Sequence, residues 1–149
     1  MNPPDPGGGA CCHGPEACVF TKALLVHAAR CELATRHGVG ETDTVSCTSP
    51  VARTNCATLS ALLRERAAFA LRLPRPGAPL MHAKALQLQC GGLQALQHAL
   101  DAPQPDVHRM VGLAHERHGS LLDLPWQALV EAIVAWQPRR RHHRPGEST

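Results

Sequence analysis

The sequence predicts an all-α fold: an irregular bundle of about five helices with a disordered N-terminal leader and a basic C-terminal tail. Three observations predict it. The chain is 44% hydrophobic but only 3% aromatic, with no Tyr. Its core is therefore built from Leu, Ala and Val, a mix poor in the aromatic side chains that strands draw on. Apolar residues also recur at helical spacing in several stretches, without a convincing alternating strand beside them. A length of 149 residues is the usual size of one domain and can bury a core without disulfide staples.

Residues 1–15 read as the leader, because Pro3, Pro4, Pro6 and Gly7 to Gly9 deny it a packed core. The segment has no basic n-region and no apolar h-region, so a secretory signal is not expected. A helical domain is expected over 16–137. Its first helix is predicted from about Pro15 to His37, with Phe20, Leu24, His27, Cys31 and Ala34 on one stripe. Residues 38–54 read as a polar loop, with a short extended piece conceivable at 43–48. A second helix is expected to start near Thr54 or Asn55 and to end before Pro74. Cys56 would then lie in its first turn, where the dipole favours a thiolate. Leu59, Leu63, Ala67 and Ala70 share the face of Cys56, and Leu62, Phe69 and Leu71 widen it.

A third helix is predicted from about Leu80 to Leu100, with Ala83, Leu86, Cys90 and Leu93 aligned. Gly91 and Gly92 inside it would kink it or admit a close neighbour. A fourth helix follows from about Asp106 to Arg117, stopping at Gly119, and a fifth from Pro125 to about Gln137. Trp126, Leu129, Val130 and Ile133 form the buried face of the last one. Residues 138–149 are the tail. Arg139, Arg140, Arg141 and Arg144 there, less Glu147, account for the whole net charge of +3. The rest of the chain is neutral, which argues against a nucleic-acid-binding body and confines any such contact to 139–144.

The chain has seven cysteines, and no apolar run reaches the ~18 residues of a membrane span. A cytoplasmic, reducing compartment is expected, where cysteines are more often ligands or core than disulfides. Cys31, Cys56 and Cys90 each project from the apolar face of a predicted helix, and Cys47 lies on the loop before the second. Together they form a candidate metal site. None of their separations matches the close C-x2–4-C pairs of zinc knuckles or the common ferredoxin spacings. Scattered single ligands suit a larger cluster, so the expected cofactor is an iron–sulfur cluster, 4Fe–4S favoured, with zinc as the alternative.

Secondary candidates are Cys11, Cys12, His13 and Cys18 in the stretch CCHGPEAC, and His27, four residues before Cys31. The plainer account makes each cysteine a small core hydrophobe and the leader thiols exposed. His108, His115 and His118 read as a solvated face, because their spacing fails the H-E-x-x-H rule. No phosphate loop, dinucleotide fingerprint or nucleophile elbow is present, so a binding protein is favoured over an enzyme. Its roles would be electron transfer, redox or metal sensing, or cofactor delivery, with another protein as partner and no membrane. Two other classes stay open. One is a metal-free helical adaptor presenting Trp126 to Trp136. The other is a thiol redox switch on Cys47 and Cys56.

Overall fold

A computed structural model describes residues 17–138, except residue 41. The fold is mostly helical, but it is not all-α, because a two-stranded antiparallel sheet stands near its start. The leader at 1–15, with Cys11, Cys12 and His13, and the arginines at 139–144 lie outside the described residues.

The long first helix is replaced by a short helix and the start of a strand. Helix α1 covers only Thr21–Leu25. His27 takes a left-handed φ of 62°, which breaks any continuation, and leaves its side chain exposed. Strands β1 (Ala34–Val39) and β2 (Thr42–Cys47) then pair, with Ala34 opposite Cys47 and Val39 opposite Thr42. Gly40, at φ 64°, turns the chain between them. The expected 38–54 loop is therefore mostly ordered: its first part is hairpin, and its end is already helix. Threonine and valine at 42, 44 and 45 suit extended backbone.

Helix α2 runs over Pro50–Leu71. It starts several residues earlier than expected, because Ser49 is its cap and Pro50 fills the first helical position. The Ser49 hydroxyl accepts from the Ala52 N–H at 3.2 Å. Leu59, Leu62, Leu63, Ala67 and Leu71 point into the core. Phe69, expected to widen that face, is instead 95% exposed.

Helix α3 is one continuous rod made of His82–Leu86, a π-helical turn Gln87–Gly91, and Gly92–Leu100. Of the two expectations for the glycines, the close approach is the one the structure shows; the helix carries a π-helical turn that ends at Gly91. A Cβ on Gly91 would meet the Trp136 Cβ at 3.0 Å, and one on Gly92 would meet Leu63 Cδ1 at 2.7 Å. Helices α4 (Val107–His118) and α5 (Trp126–Ala135) fall close to where the sequence puts them. Asp106 caps α4, accepting from the Arg109 N–H at 3.1 Å, and Gly119 ends it at φ 80°. The core between α2, α3, α4 and α5 is filled by Leu63, Leu93, Leu96, Met110, Leu129 and Ile133, with Phe20 from the first segment. Trp126 is part of it, its indole N–H donating to the Leu121 carbonyl at 3.1 Å. No helix among the described residues is long and apolar enough to cross a membrane.

Candidate functional site

Four cysteines meet where the N-terminal segment, the hairpin, α2 and the start of α4 pack together. Each is carried there by its own piece of backbone. Cys18 lies beside β2, its N–H donating to the Val45 carbonyl at 3.0 Å, while Ala17 bridges Ser46. Arg53 of α2 fixes the same strip by donating to the Ala17 carbonyl at 2.6 Å. Cys31 is held just before β1 by a short parallel bridge between Arg30 and Asp106: the Val107 N–H donates to the Arg30 carbonyl at 2.8 Å. Cys47 ends β2, its thiol donating to the Ser49 carbonyl at 3.3 Å. Cys56 lies in the second turn of α2.

These four side chains wall a small, partly enclosed cavity of about 20 Å³, with Ala34, Ala52, Val107 and His108 completing most of the lining. The walls expose no polar surface to it. Three of the expected site residues, Cys31, Cys47 and Cys56, are thus brought together, and Cys18, a secondary candidate, is the fourth. Cys90 does not join them. It is 2% exposed in the π-helical turn of α3, and burial alone pushes its thiol up to about 11. His27 does not line the cavity either.

The thiols of Cys18, Cys31 and Cys56 are all raised by burial and by their neighbours. Burial raises Cys18, and the thiols of Cys31 and Cys47 add to the rise; the Phe20 N–H, 3.4 Å from its sulfur, and Arg53 pull the other way. Burial also raises Cys31, opposed by the N–H groups of Leu33 and His108 and reinforced by Asp106 and Cys47. Cys56 is pushed up to about 12 by burial, then by Cys31, Cys18 and Cys47. The assistance expected from a helix N-terminus therefore does not reach Cys56, which lies beyond the first turn, where the dipole fades. It reaches Cys31 instead, because His108 is the second residue of α4 and its N–H faces that sulfur.

Two N–H groups two residues downstream, Phe20 for Cys18 and Leu33 for Cys31, aim at sulfur in the same way. Such donors favour the thiolate over the thiol and tune a bound metal. Soft cations suit an all-sulfur donor set. Among the described residues, however, no three His, Cys, Asp or Glu side chains stand as a formed metal site. The sulfurs share a cavity rather than a single coordination point, so ligation requires the side chains to turn inward.

Two members of this site were hard to see in the sequence. Cys18 follows a Pro/Gly-rich leader and was separable from it only by the apolar Val19 and Phe20 that come next. His108 shares its helix and its histidine pattern with His115 and His118, yet it stands on the turn of α4 that meets Cys31. Comparison with family models, curated proteins and solved structures finds no match for this chain.

Proposed function

We propose that this protein binds a soft metal through the thiolates of Cys18, Cys31, Cys47 and Cys56. The observation that carries the reading is convergence: four of the five described cysteines come from separate segments to wall one apolar cavity. Packing alone does not call for sulfur at four such positions. The site fits a single ion better than the four-iron cluster expected from the spacing. A cavity of about 20 Å³ is close to the space of one water-sized probe. A cluster with its inorganic sulfides requires the four segments to move apart. Zinc or a single iron is therefore favoured here, and the iron–sulfur cluster is the reading that an expanded site would support.

Four sulfurs complete a tetrahedral shell and leave no open position for substrate. That suits holding, passing on or sensing metal, or one-electron transfer when the metal is iron, rather than Lewis-acid catalysis. The reading implies a reducing, cytoplasmic setting, where thiols persist, and a protein partner that supplies or takes the metal.

The test is anaerobic purification followed by zinc, iron and sulfide analysis, with cobalt titration of the reduced, stripped protein. One equivalent of zinc or iron, and cobalt–thiolate absorption lost in Cys31→Ser and Cys56→Ser, is the expected result. Stoichiometric iron with sulfide would keep the ligands and replace the single ion by a cluster. Folded, metal-free protein that shows no cobalt–thiolate band would overturn the proposal in favour of the adaptor or the thiol switch.

A further inference from the structure

The four thiols of the cavity have a chemistry of their own that needs no metal. Cys18, Cys31, Cys47 and Cys56 line it and are half-buried, whereas Cys90 is buried apart from them. Cys31 stands at the centre of the set: it is first among the thiols that act on Cys18 and first among those that act on Cys56. Cys18 and Cys31 are also held alike. The sulfur of each accepts an N–H from two residues downstream, Phe20 at 3.4 Å for Cys18 and Leu33 for Cys31. The carbonyl of each accepts an N–H from three residues downstream, Thr21 at 3.3 Å and Ala34 at 3.1 Å. Both sulfurs thus sit on hydrogen-bonded turns that face one cavity. Arg53 lines the same cavity and acts on Cys18, so a positive charge already faces these sulfurs. A cation and N–H donors beside a thiol favour the thiolate, the form that reacts with oxidants.

We infer that Cys18 and Cys31 form an internal disulfide when the reduced, metal-free chain meets hydrogen peroxide. The inference goes beyond the metal reading and does not depend on it. One thiolate attacks a peroxide oxygen and displaces hydroxide, leaving its sulfur as sulfenic acid. The second sulfur then attacks that sulfenic sulfur, the S–S bond forms, and the hydroxyl leaves as water with the second thiol's proton. In sum, two thiols and one peroxide give one disulfide and two waters; the sulfurs lose two electrons and the peroxide oxygens gain them. The other two thiols are worse placed for this step. The Cys47 S–H is engaged with the Ser49 carbonyl at 3.3 Å. Cys56, pushed up to about 12, holds the least thiolate. A bridge from Cys18 to Cys31 closes a loop over α1 and the left-handed turn at His27. It would tie that segment to the start of α4, which Arg30 already pairs with at Asp106.

The experiment uses the full chain, reduced and stripped of metal, treated with one equivalent of hydrogen peroxide. Remaining thiols are blocked with N-ethylmaleimide, and the protein is digested with trypsin for mass spectrometry. Cleavage after Lys22, Arg30, Arg36, Arg53 and Arg64 puts Cys31, Cys47 and Cys56 on separate peptides. Fragment ions then separate Cys18 from Cys11 and Cys12 on the first one. The same oxidation is run in urea, and on Cys31→Ser and Cys90→Ser, with circular dichroism as the check that each variant is folded.

The expected result is one dominant cross-link, Cys18 to Cys31, in folded protein, reversed by dithiothreitol and replaced by mixed pairings in urea. Cys90→Ser should leave it unchanged, and Cys31→Ser should abolish it. The wild-type map decides the matter even where Cys31→Ser fails to fold. A different dominant pair, bridges between chains, or sulfinic acid without a cross-link would overturn the inference. So would the same pairing in urea, because the folded cavity would then not select it. A chain that binds no zinc, iron or cobalt yet forms the bridge overturns the metal reading and supports this one.

Discussion

Cys56 offers the sharpest test of the site's electrostatics. The perturbation is pH, applied to the reduced, metal-free protein, and the observable is the rate of Cys56 alkylation by iodoacetamide. Its thiol is pushed from the ordinary 9.0 to about 12. At pH 8 an ordinary thiol is about one-tenth ionised, whereas Cys56 is ionised in only about one molecule in ten thousand. The deficit of about a thousandfold is partly offset, because a more basic thiolate is a better nucleophile. A Brønsted coefficient of about 0.4–0.5 over three units returns about 15- to 30-fold. Cys56 should therefore react roughly 30 to 60 times more slowly than free cysteine at pH 8. Its rate should keep rising about tenfold per pH unit through pH 10, where an ordinary thiol has levelled off. The slope separates ionisation from simple shielding, which lowers the rate without moving the plateau. A plateau between pH 9 and 10 would refute the argument. The same shift sets a sign for stability. The folded-state pKa lies above the unfolded one, so Cys56 contributes fully below pH 9, and its contribution is lost as pH rises from 9 toward 12. A switch that needs Cys56 as the attacking thiolate is correspondingly disfavoured at neutral pH.

Four further outcomes follow from the structure. Gly112 lies inside α4 with open space around its α-carbon, so Gly112→Ala should stabilise the protein by about 1 kcal/mol, raising Tm by about 2–4 °C. Gly92→Ala gains the same helix propensity, but its new methyl would meet Leu63, which is 1% exposed, at 2.7 Å. Overpacking of about 1–3 kcal/mol should then make it net destabilising in urea unfolding. Asp106→Ala should cost about 1 kcal/mol through the lost α4 cap. It should also lower the Cys31 thiol, because Asp106 is one of the groups that raise it, which a pH profile of Cys31 labelling would read. Cys90→Ala should leave metal stoichiometry unchanged while costing about 1 kcal/mol of core packing, checked by metal analysis beside a melting curve.

The legible parts of this fold are the ones whose local signals agree. Helices α4 and α5 carry a cap or a proline at the start and apolar residues at helical spacing, and α4 also ends on a glycine. Nothing tertiary has to override them. The first third of the chain is different. Phe20, Leu24, Cys31 and Ala34 do share a helical period, but the period is coincidental. Phe20 and Leu24 are buried from α1, whereas Cys31 and Ala34 belong to the turn and strand that follow. Five helical residues cannot hold together on their own account. They persist because long-range bonds hold them, such as the Ala23 N–H to Gln89 Oε1 at 3.1 Å. The hairpin was hidden for a related reason. Its strands are polar and the described side chains of β1 are mostly exposed, so the alternation that marks a half-buried strand is weak.

The exchange of Cys90 for Cys18 at the site has the same origin. Helical periodicity correctly places Cys90 on a buried face, but a buried face need not be a shared one. Burial and convergence are separate properties: the π-helical turn seats Cys90 in the core, where no other thiol perturbs it. What gathers the other four is a set of backbone pairings, within the hairpin (Ala34 with Cys47) and between segments further apart in sequence (Ala17 with Ser46, Arg30 with Asp106). Each is a strand-type contact of one or a few residues, and none leaves a periodic trace. They share one consequence. Every cysteine that lines the cavity lies on, next to, or within a few residues of such a pairing, or on the helix that Arg53 ties to it. The hairpin therefore functions as a clasp rather than as a sheet in its own right. Its removal would cost little buried apolar surface, since Val45 is its one fully buried side chain among the described residues, yet it would scatter the thiols. Under the proposed metal reading, a site built this way should lose its metal before the helical core melts. Chelator-induced loss of metal should thus precede the loss of helical ellipticity on heating, and simultaneous loss would mean that the clasp and the bundle are one cooperative unit.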